Sequence, residues 1–372
     1  MTAASDRSPE ILHPATVSDV VEAVRDCPRL QVVGAATKSA LAASRCDAVR
    51  CEMTHLSGVV DHQPSEFLLT ALAGTRISEL HETLERHGQY FPFDPPLVAA
   101  GATIGGTLAA GLSGPGRLRY GGIRDFVMGI RFVDGLGQVV TAGGRVVKNA
   151  AGYDIPKLMV GSCGYLGAIV EVTLKVFPRP ASEATLSIKT ADFAAAAELQ
   201  SILARSPIEL TAVDLIPERE LLIRLSGNVE AVETLSRRVA TIVEQHQPAA
   251  VVESCPDAAA AWGSLQSGTW AGPDEYWVRV ALGPRQLAAL EHDLAASLVP
   301  RRYSAAGNLA WLRWPASRPL EQLDDLLRHH RLGGSVLTGQ TARYRLGTRG
   351  NAAIIRRIKR ALDPAGKFVG FA

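Results

Sequence analysis

The chain has 372 residues, of which 47% are hydrophobic and 20% charged, and its formal net charge is +2. These numbers fit a globular protein too long for one small core, argue against long disorder, and give no electrostatic case for binding nucleic acid. The five cysteines, Cys27, Cys46, Cys51, Cys163 and Cys255, form no CxxC pair, so they read as reduced thiols rather than a cluster or disulfide framework.

The elements follow in chain order. Val17, Val20, Val21 and Val24 recur at helical spacing behind Thr16, a favourable N-cap. "LQVVG" (30–34) is a short strand that runs into "GAATKSA". "EFLLTALAG" (66–74) is a second strand. "TRISELHETLERHG" (75–88) is a helix with Ile77, Leu80 and Leu84 on one face and Gly88 as its stop. "FVMGIRFVDGLGQVVTA" (126–142) reads as two strands around a turn. In the next strand Val170, Val172, Leu174 and Val176 alternate with Glu171, Thr173 and Lys175.

"PRPAS" (178–182) marks a boundary, and the rhythm changes after it. Strand 184–189, helix 193–205, strands 209–216 and 220–226, helix 229–245 and strand 249–254 form a split β-α-β unit. A looser series follows: helix 257–266, strand 275–282, helix 285–298, strand 308–313, helix 319–331 and strand 334–338. The simplest assembly is an antiparallel sheet with helices on one side, giving an α+β chain. The expected division is 1–180, 181–348, and a tail, 349–372, formed by a basic helix and an apolar end.

Glycine is costly inside regular elements, so its clusters need a reason. Gly34, Ala35, Ala36, Thr37, Lys38 and Ser39 join small residues to three side-chain donors, a composition that suits a pyrophosphate; a plain loop explains the same residues. It is not GxGxxG, so a Rossmann site is not supported. Thr103, Ile104, Gly105 and Gly106 open a helix with a small-residue face, suited either to a flat ring or to tight packing. Gly106 is expected to leave cofactor space or to take positive φ. "KNAAGYD" (148–154) and "GSCGYLG" (161–167) precede the most regular strand, and "LDPAGKF" (362–368) closes the set.

In this order the segments resemble the FAD domain of the vanillyl-alcohol oxidase family, the p-cresol methylhydroxylase type. The resemblance covers about residues 8–180 and the tail. Within that family, "KNAAGYDIPKL" and "IKRALDPAGKF" are similar to the FAD-binding subunits of glycolate-oxidising complexes. The resemblance implies a p-cresol methylhydroxylase-type FAD domain followed by a cap. It places Gly34 to Ser39 at the pyrophosphate, and Thr103 to Gly106 with Ser113 and Gly114 along the cofactor toward its ring. Ile169 would lie by the adenine. No His or Cys stands in the phosphate loop, so non-covalent FAD is expected, with Cys163 a buried thiol. The implied partners are a catalytic flavin subunit and an iron–sulfur subunit, and the implied substrate a 2-hydroxy acid reached through the complex.

Related 2-hydroxy-acid dehydrogenases carry "H.GDGN.H" and "EHG". Here the matching stretch is "YSAAGNLAWLRW", which keeps Gly307 and Asn308 without either histidine, and no "EHG" occurs. No metal site and no catalytic residue are therefore assigned. His329 and His330 read as solvated or capping residues. Arg343 and Arg345 are candidate cations for a carboxylate. Trp262, Trp270, Trp277, Trp311 and Trp314 fit a Trp-rich core, or else an interface. The alternative function is a freestanding FAD-dependent dehydrogenase of another hydroxy acid or alcohol. The start "MTAASDRSPE" lacks an apolar signal core and 97–112 is too short and glycine-rich for a span. A cytoplasmic location is expected, peripheral at the inner membrane through partners if at all.

Overall fold

The computed structural model describes residues 11–43, 47–144, 153–218, 220–341, 343–348, 350 and 352–370. Lys148 to Gly152 of the "KNAAGYD" segment, and Cys46, lie outside these.

Helix Val17–Asp26 opens with a reciprocal capping box: the Thr16 hydroxyl accepts from the Asp19 N–H at 3.2 Å, and the Asp19 carboxylate accepts from the Thr16 N–H at 2.9 Å. Its buried Val20 and Val24 pack with Leu30, Cys51 and Val133. The first sheet is parallel and three-stranded, in the order Ile11–Leu12, Val49–Glu52, Leu30–Val33. The second is antiparallel and five-stranded, in the order Val59–Gln63, Leu68–Leu72, Ala168–Lys175, Val127–Val133, Val139–Gly143. Helices Ile77–Glu85 and Ile104–Ala110 bury Ile77, Leu80, Leu84, Ile104 and Leu108 in one core with Val172 and Leu174. Gly88 takes φ +62 where the first of them stops.

Beyond residue 180 the two strand series are one nine-stranded antiparallel sheet. Its order is Val251–Ser254, Ser182–Lys189, Glu220–Gly227, Ala212–Ile216, Arg301–Ser304, Leu309–Pro315, Glu275–Ala281, Gly333–Thr338, Arg345–Gly347. The series join where Leu215 pairs with Tyr303. The second of these strands in sequence starts at Ala212 rather than 209.

Alternation along these strands divides the faces. Val278, Val280, Ala310, Leu312 and Val336 lie under helices Phe193–Arg205, Val229–His246, Pro284–Ala295 and Leu320–His329, which bury Leu199, Val239, Leu290 and Leu323 against them. Trp277, Leu309, Trp311 and Leu337 point the other way, into the core of the N-terminal domain. Helix Ala258–Ser267 corrects the expectation of helices on one side only. It lies on that second face, where Trp262 packs on Ala212 and Leu222. Trp262, Trp277, Trp311 and Trp314 are all buried.

The tail returns to the first sheet. Leu30 N–H donates to Lys367 O at 2.8 Å, Val369 N–H donates to Leu30 O at 2.9 Å, and Phe368 is buried beside them. Lys359 of helix Ala352–Leu362 fastens the turn by donating to Tyr165 O, Phe368 O and Asp363 Oδ2.

Candidate cofactor cleft

A cleft of about 690 Å³ opens where the first sheet meets helix Ile104–Ala110. One wall is Gly34 to Lys38, the second Thr103, Gly105, Gly106, Ala109 and Ala110, and the third Cys163, Gly164, Gly167 and Ile169. Val32, Val33, Met53 and Ala73 make its apolar floor.

The first wall is built to receive an anion. Ala36 sits at φ +53, a left-handed residue in the irregular chain after strand Leu30–Val33, a conformation that can gather successive N–H groups into a concavity. Among the described residues, none accepts a hydrogen bond from the N–H groups of Ala35, Ala36, Thr37, Lys38 or Ser39. Ala35, Ala36 and Thr37 are half-buried, Lys38 is buried and Ser39 exposed, so this unmatched series is open to an acceptor in the cleft. Lys38 adds a full charge. It is 7% exposed, its ammonium donates to Thr37 Oγ1 at 3.1 Å, and burial lowers its pKa to about 8.

The second wall differs from what a helix start would suggest. Thr103 caps the helix, its hydroxyl accepting from Gly106 N–H at 3.2 Å. Ile104 N–H and Gly105 N–H are already given to Thr75 O and Ala73 O, both at 2.9 Å. These groups are spent on holding the helix to the strand, which leaves the loop as the anion-binding part. The glycines serve close approach. A Cβ on Gly34 would stand 2.4 Å from Thr103 Oγ1, and one on Gly105 2.6 Å from the Ala73 Cβ. Gly106 is helical with no positive φ, so only the spatial half of its expectation applies: its Cβ would meet Thr103 Oγ1 at 2.9 Å.

In the third wall, Gly161 and Gly164 take φ +81 and +75, and Cys163 between them takes φ +49 with its N–H on Ala109 O. Gly167 packs so close that a Cβ would meet Phe132 Cδ2 at 2.7 Å. Two glycines turn the chain and one lets it pass before strand Ala168–Lys175 begins. Ile169 is buried and faces the cleft.

The structure therefore brings together Gly34, Ala35, Ala36, Thr37, Lys38, Thr103, Gly105, Gly106 and Ile169. Ile104 sits behind them in the core. Ser39 lies at the rim, its hydroxyl accepting from Gly339 N–H. Ser113 and Gly114 are not among the lining: the Ser113 hydroxyl accepts from Ile123 N–H, and Gly114 N–H donates to Phe93 O and Asp94 O.

A second pocket, of about 620 Å³, opens on the cap sheet between Arg279, Gly333, Gly334, Ser335, Arg345 and Thr348. Arg279 donates to Gly111 O at 2.9 Å, the carbonyl at the end of the cleft helix. Burial and the neighbouring Arg117 both lower its pKa, and Cys163 opposes them. Burial pushes the Cys163 thiol up, against the pull of Arg345, Arg279 and Lys38. The protonated Cys163 thiol of the first cavity is thus within electrostatic reach of Arg279 and Arg345 of the second, which form a cationic seam beside it. Arg343 instead pairs with Asp324 at 2.5 Å. Arg279 was missed in the sequence; its only signal is a charged residue in the otherwise apolar register of "YWVRVA". Tyr303 and Ala310, at the two "H.GDGN.H" histidine positions, are fully buried under the cap helices.

Residues 9–143 match the family described as an FAD binding domain. Glycolate oxidase subunit GlcE of Escherichia coli (strain K12) is 40% identical over 178 residues, covering 47% of this chain and 49% of that protein. D-lactate dehydrogenase of Anaerostipes hadrus is 32% identical over 186 residues, covering 48% of this chain and 39% of that one. The chain thus spans about half the length, or less, of the curated relatives it matches. Among solved structures, p-cresol methylhydroxylase with substrate bound superposes with a TM-score of 0.71 at 13% identity, covering 96% of this chain and 88% of that chain. An alkyldihydroxyacetonephosphate synthase gives 0.71 at 18% identity, covering 97% and 77%. The fold is the p-cresol methylhydroxylase type, and FAD is the cofactor of its first domain. The unmatched N–H series and Lys38 fit a diphosphate, and the apolar floor fits a flat ring.

Proposed function

We propose that this chain, which carries the FAD-binding domain of the p-cresol methylhydroxylase-type flavoproteins, is the flavin-holding subunit of an assembly that oxidises a 2-hydroxy acid such as glycolate. Bound FAD supplies two-electron acceptor chemistry. Gly34 to Ser39 hold its diphosphate non-covalently, Thr103 to Gly106 fix the wall beside it, Ser113 and Gly114 brace the turn behind that wall, and Ile169 borders the adenine. The domain of 1–180 carries this site, 181–348 is the cap, and 349–372 ties the tail to the first domain.

One observation supports a subunit role over independent catalysis. Among the described residues, the ionisable groups lining the two cavities are Lys38, Cys163, Arg279 and Arg345. None is a carboxylate or an imidazole. Abstraction of a proton from a hydroxyl needs a positioned base of suitable pKa. Arginine cannot serve, Lys38 sits at the diphosphate loop, and burial holds the Cys163 thiol protonated. The role that fits is electron transfer or assembly beside a catalytic flavin subunit and an iron–sulfur subunit. No helix among the described residues is long and apolar enough to cross a membrane; the location proposed for the chain is the cytoplasm, held at a membrane, if at all, by partners.

The cationic seam favours a second reading, because Arg279 and Arg345 suit a substrate carboxylate: a freestanding FAD-dependent hydroxy-acid dehydrogenase. Turnover of glycolate and D-lactate by the FAD-loaded chain, alone and co-expressed with its catalytic partner, separates the two. Activity only in the complex supports the subunit; equal activity alone supports the dehydrogenase.

A further inference from the structure

Helix Leu320–His329 ends in two consecutive imidazoles on the outer, helix-covered side of the cap sheet, away from both cavities. Consecutive helical residues ordinarily diverge by about 100° around the axis. Here the chain leaves the helix at His330, with ψ 3°, and Arg331 follows at φ +54. The rings of His329 and His330 therefore meet edge to face, with centroids 5.1 Å apart. Helix Pro284–Ala295 runs alongside and adds a third group. Asp293 Oδ2 lies 2.7 Å from His330 Nε2, and Gln286 Nε2 donates to His330 O at 3.4 Å. Both links fix the end of one helix against the other.

The donor atoms of Asp293, His329 and His330 all lie within 4.8 Å of one another. We propose that these three residues form a transition-metal site of the zinc class, tying the two helices together. Zinc holds imidazole nitrogens and carboxylate oxygens at about 2.0–2.2 Å in a tetrahedron, which sets ligand atoms about 3.3 Å apart. His330 and Asp293 need to separate only slightly, the ion taking the place of the shared proton; a small ring rotation brings in His329, and water completes the shell. Two imidazoles and one carboxylate suit Zn²⁺, Ni²⁺ or Cu²⁺, and do not suit Mg²⁺ or Ca²⁺, which take oxygen donors. The His329 side chain is exposed and that of Asp293 is 37% exposed, so an ion enters without opening the core.

The test is titration of the tag-free, chelator-treated full chain with ZnCl₂, read by calorimetry and by thermal melting. One ion per chain and a raised Tm are expected, with no effect of Mg²⁺ at the same concentration. His329→Ala, His330→Ala and Asp293→Asn should each weaken Zn²⁺ binding at least tenfold, while His62→Ala, at a separate histidine pair, should leave it unchanged. FAD content confirms that each variant is folded. Absent stoichiometric binding, or binding that survives the three substitutions, overturns the proposal.

Discussion

Arg224, on strand Glu220–Gly227 of the cap, is ion-paired with Asp94 in the N-terminal domain. Both are nearly buried, at 11% and 8% side-chain exposure. Asp94 holds φ +47, and its Oδ2 also accepts from Gly116 N–H at 2.7 Å. The guanidinium lies over the Trp262 ring, 5.3 Å from its centroid. One carboxylate thus joins a strained loop, a second loop and the cap.

Removing that carboxylate leaves a buried cation without its partner. Asp94→Ala should destabilise the protein by about 3–5 kcal/mol, measured by urea denaturation. Asp94→Asn should be milder, because it retains a hydrogen-bond acceptor. Equal, sub-kilocalorie effects of both would show that the pair is solvated.

Lys38 couples the cofactor to pH. Its folded pKa of about 8 lies below the ordinary lysine value of 10.5, so between those values the unfolded chain binds more protons than the folded cofactor-free chain. From this group, cofactor-free stability therefore rises with pH across that window. A bound diphosphate reverses the balance by favouring the charged amine, so FAD binding takes up a proton above pH 8. Affinity should fall as pH rises above 8, by up to about tenfold per unit. Lys38→Met should weaken FAD binding about ten- to a hundredfold at pH 7, from the roughly 1.5–3 kcal/mol of a charged hydrogen bond, and should flatten the profile. Flavin fluorescence titrations at pH 7, 8 and 9 measure both; an unchanged slope in the variant refutes the assignment.

Gly106→Val and Cys163→Ala should part company. A side chain at Gly106 displaces the Thr103 hydroxyl that caps the helix and presses toward Gly34, whose Cα is 3.9 Å from the added Cβ. Losing such a cap costs about 1 kcal/mol, and the loop facing the diphosphate shifts with it, so the purified variant should be colourless. Cys163→Ala removes one small group, costs about 1 kcal/mol, and should keep its FAD. In the wild type the flavin should separate from acid-precipitated protein. Yellow Gly106→Val protein would place the flavin elsewhere.

Much of this was legible in the sequence because local rules act alone there. Thr16 with Asp19, and Thr103 with Gly106, announce helix starts through side-chain capping that no distant residue can override. The helix at 193–205 shows its apolar period directly. What stayed hidden depends on pairing across the chain. The sequence showed two strand series, but only the Leu215–Tyr303 pairing makes them one sheet. The second face of that sheet, covered by the N-terminal domain, has no local signature, so the place of helix Ala258–Ser267 on it cannot be read from the sequence. For the same reason Arg279 looks like any strand residue until its guanidinium is found on Gly111 O. The glycines of 161–167 were visible as a cluster, whereas their division into turning and packing roles needed Phe132 and Ala109 in place.

Among the described residues, the two cavities of this chain offer no base to drive substrate oxidation, so the FAD it holds should not be reduced by substrate in the isolated chain. Anaerobic stopped-flow mixing of the FAD-loaded chain with glycolate or D-lactate tests it most directly, because flavin bleaching reports hydride arrival whatever the later acceptor. Loss of a positioned base lowers such rates about 10²–10⁴-fold, so the flavin of the isolated chain should stay oxidised over seconds at millimolar substrate, and bleach when the catalytic partner is added. Full reduction of the isolated chain within seconds would contradict the claim and identify a dehydrogenase complete in itself.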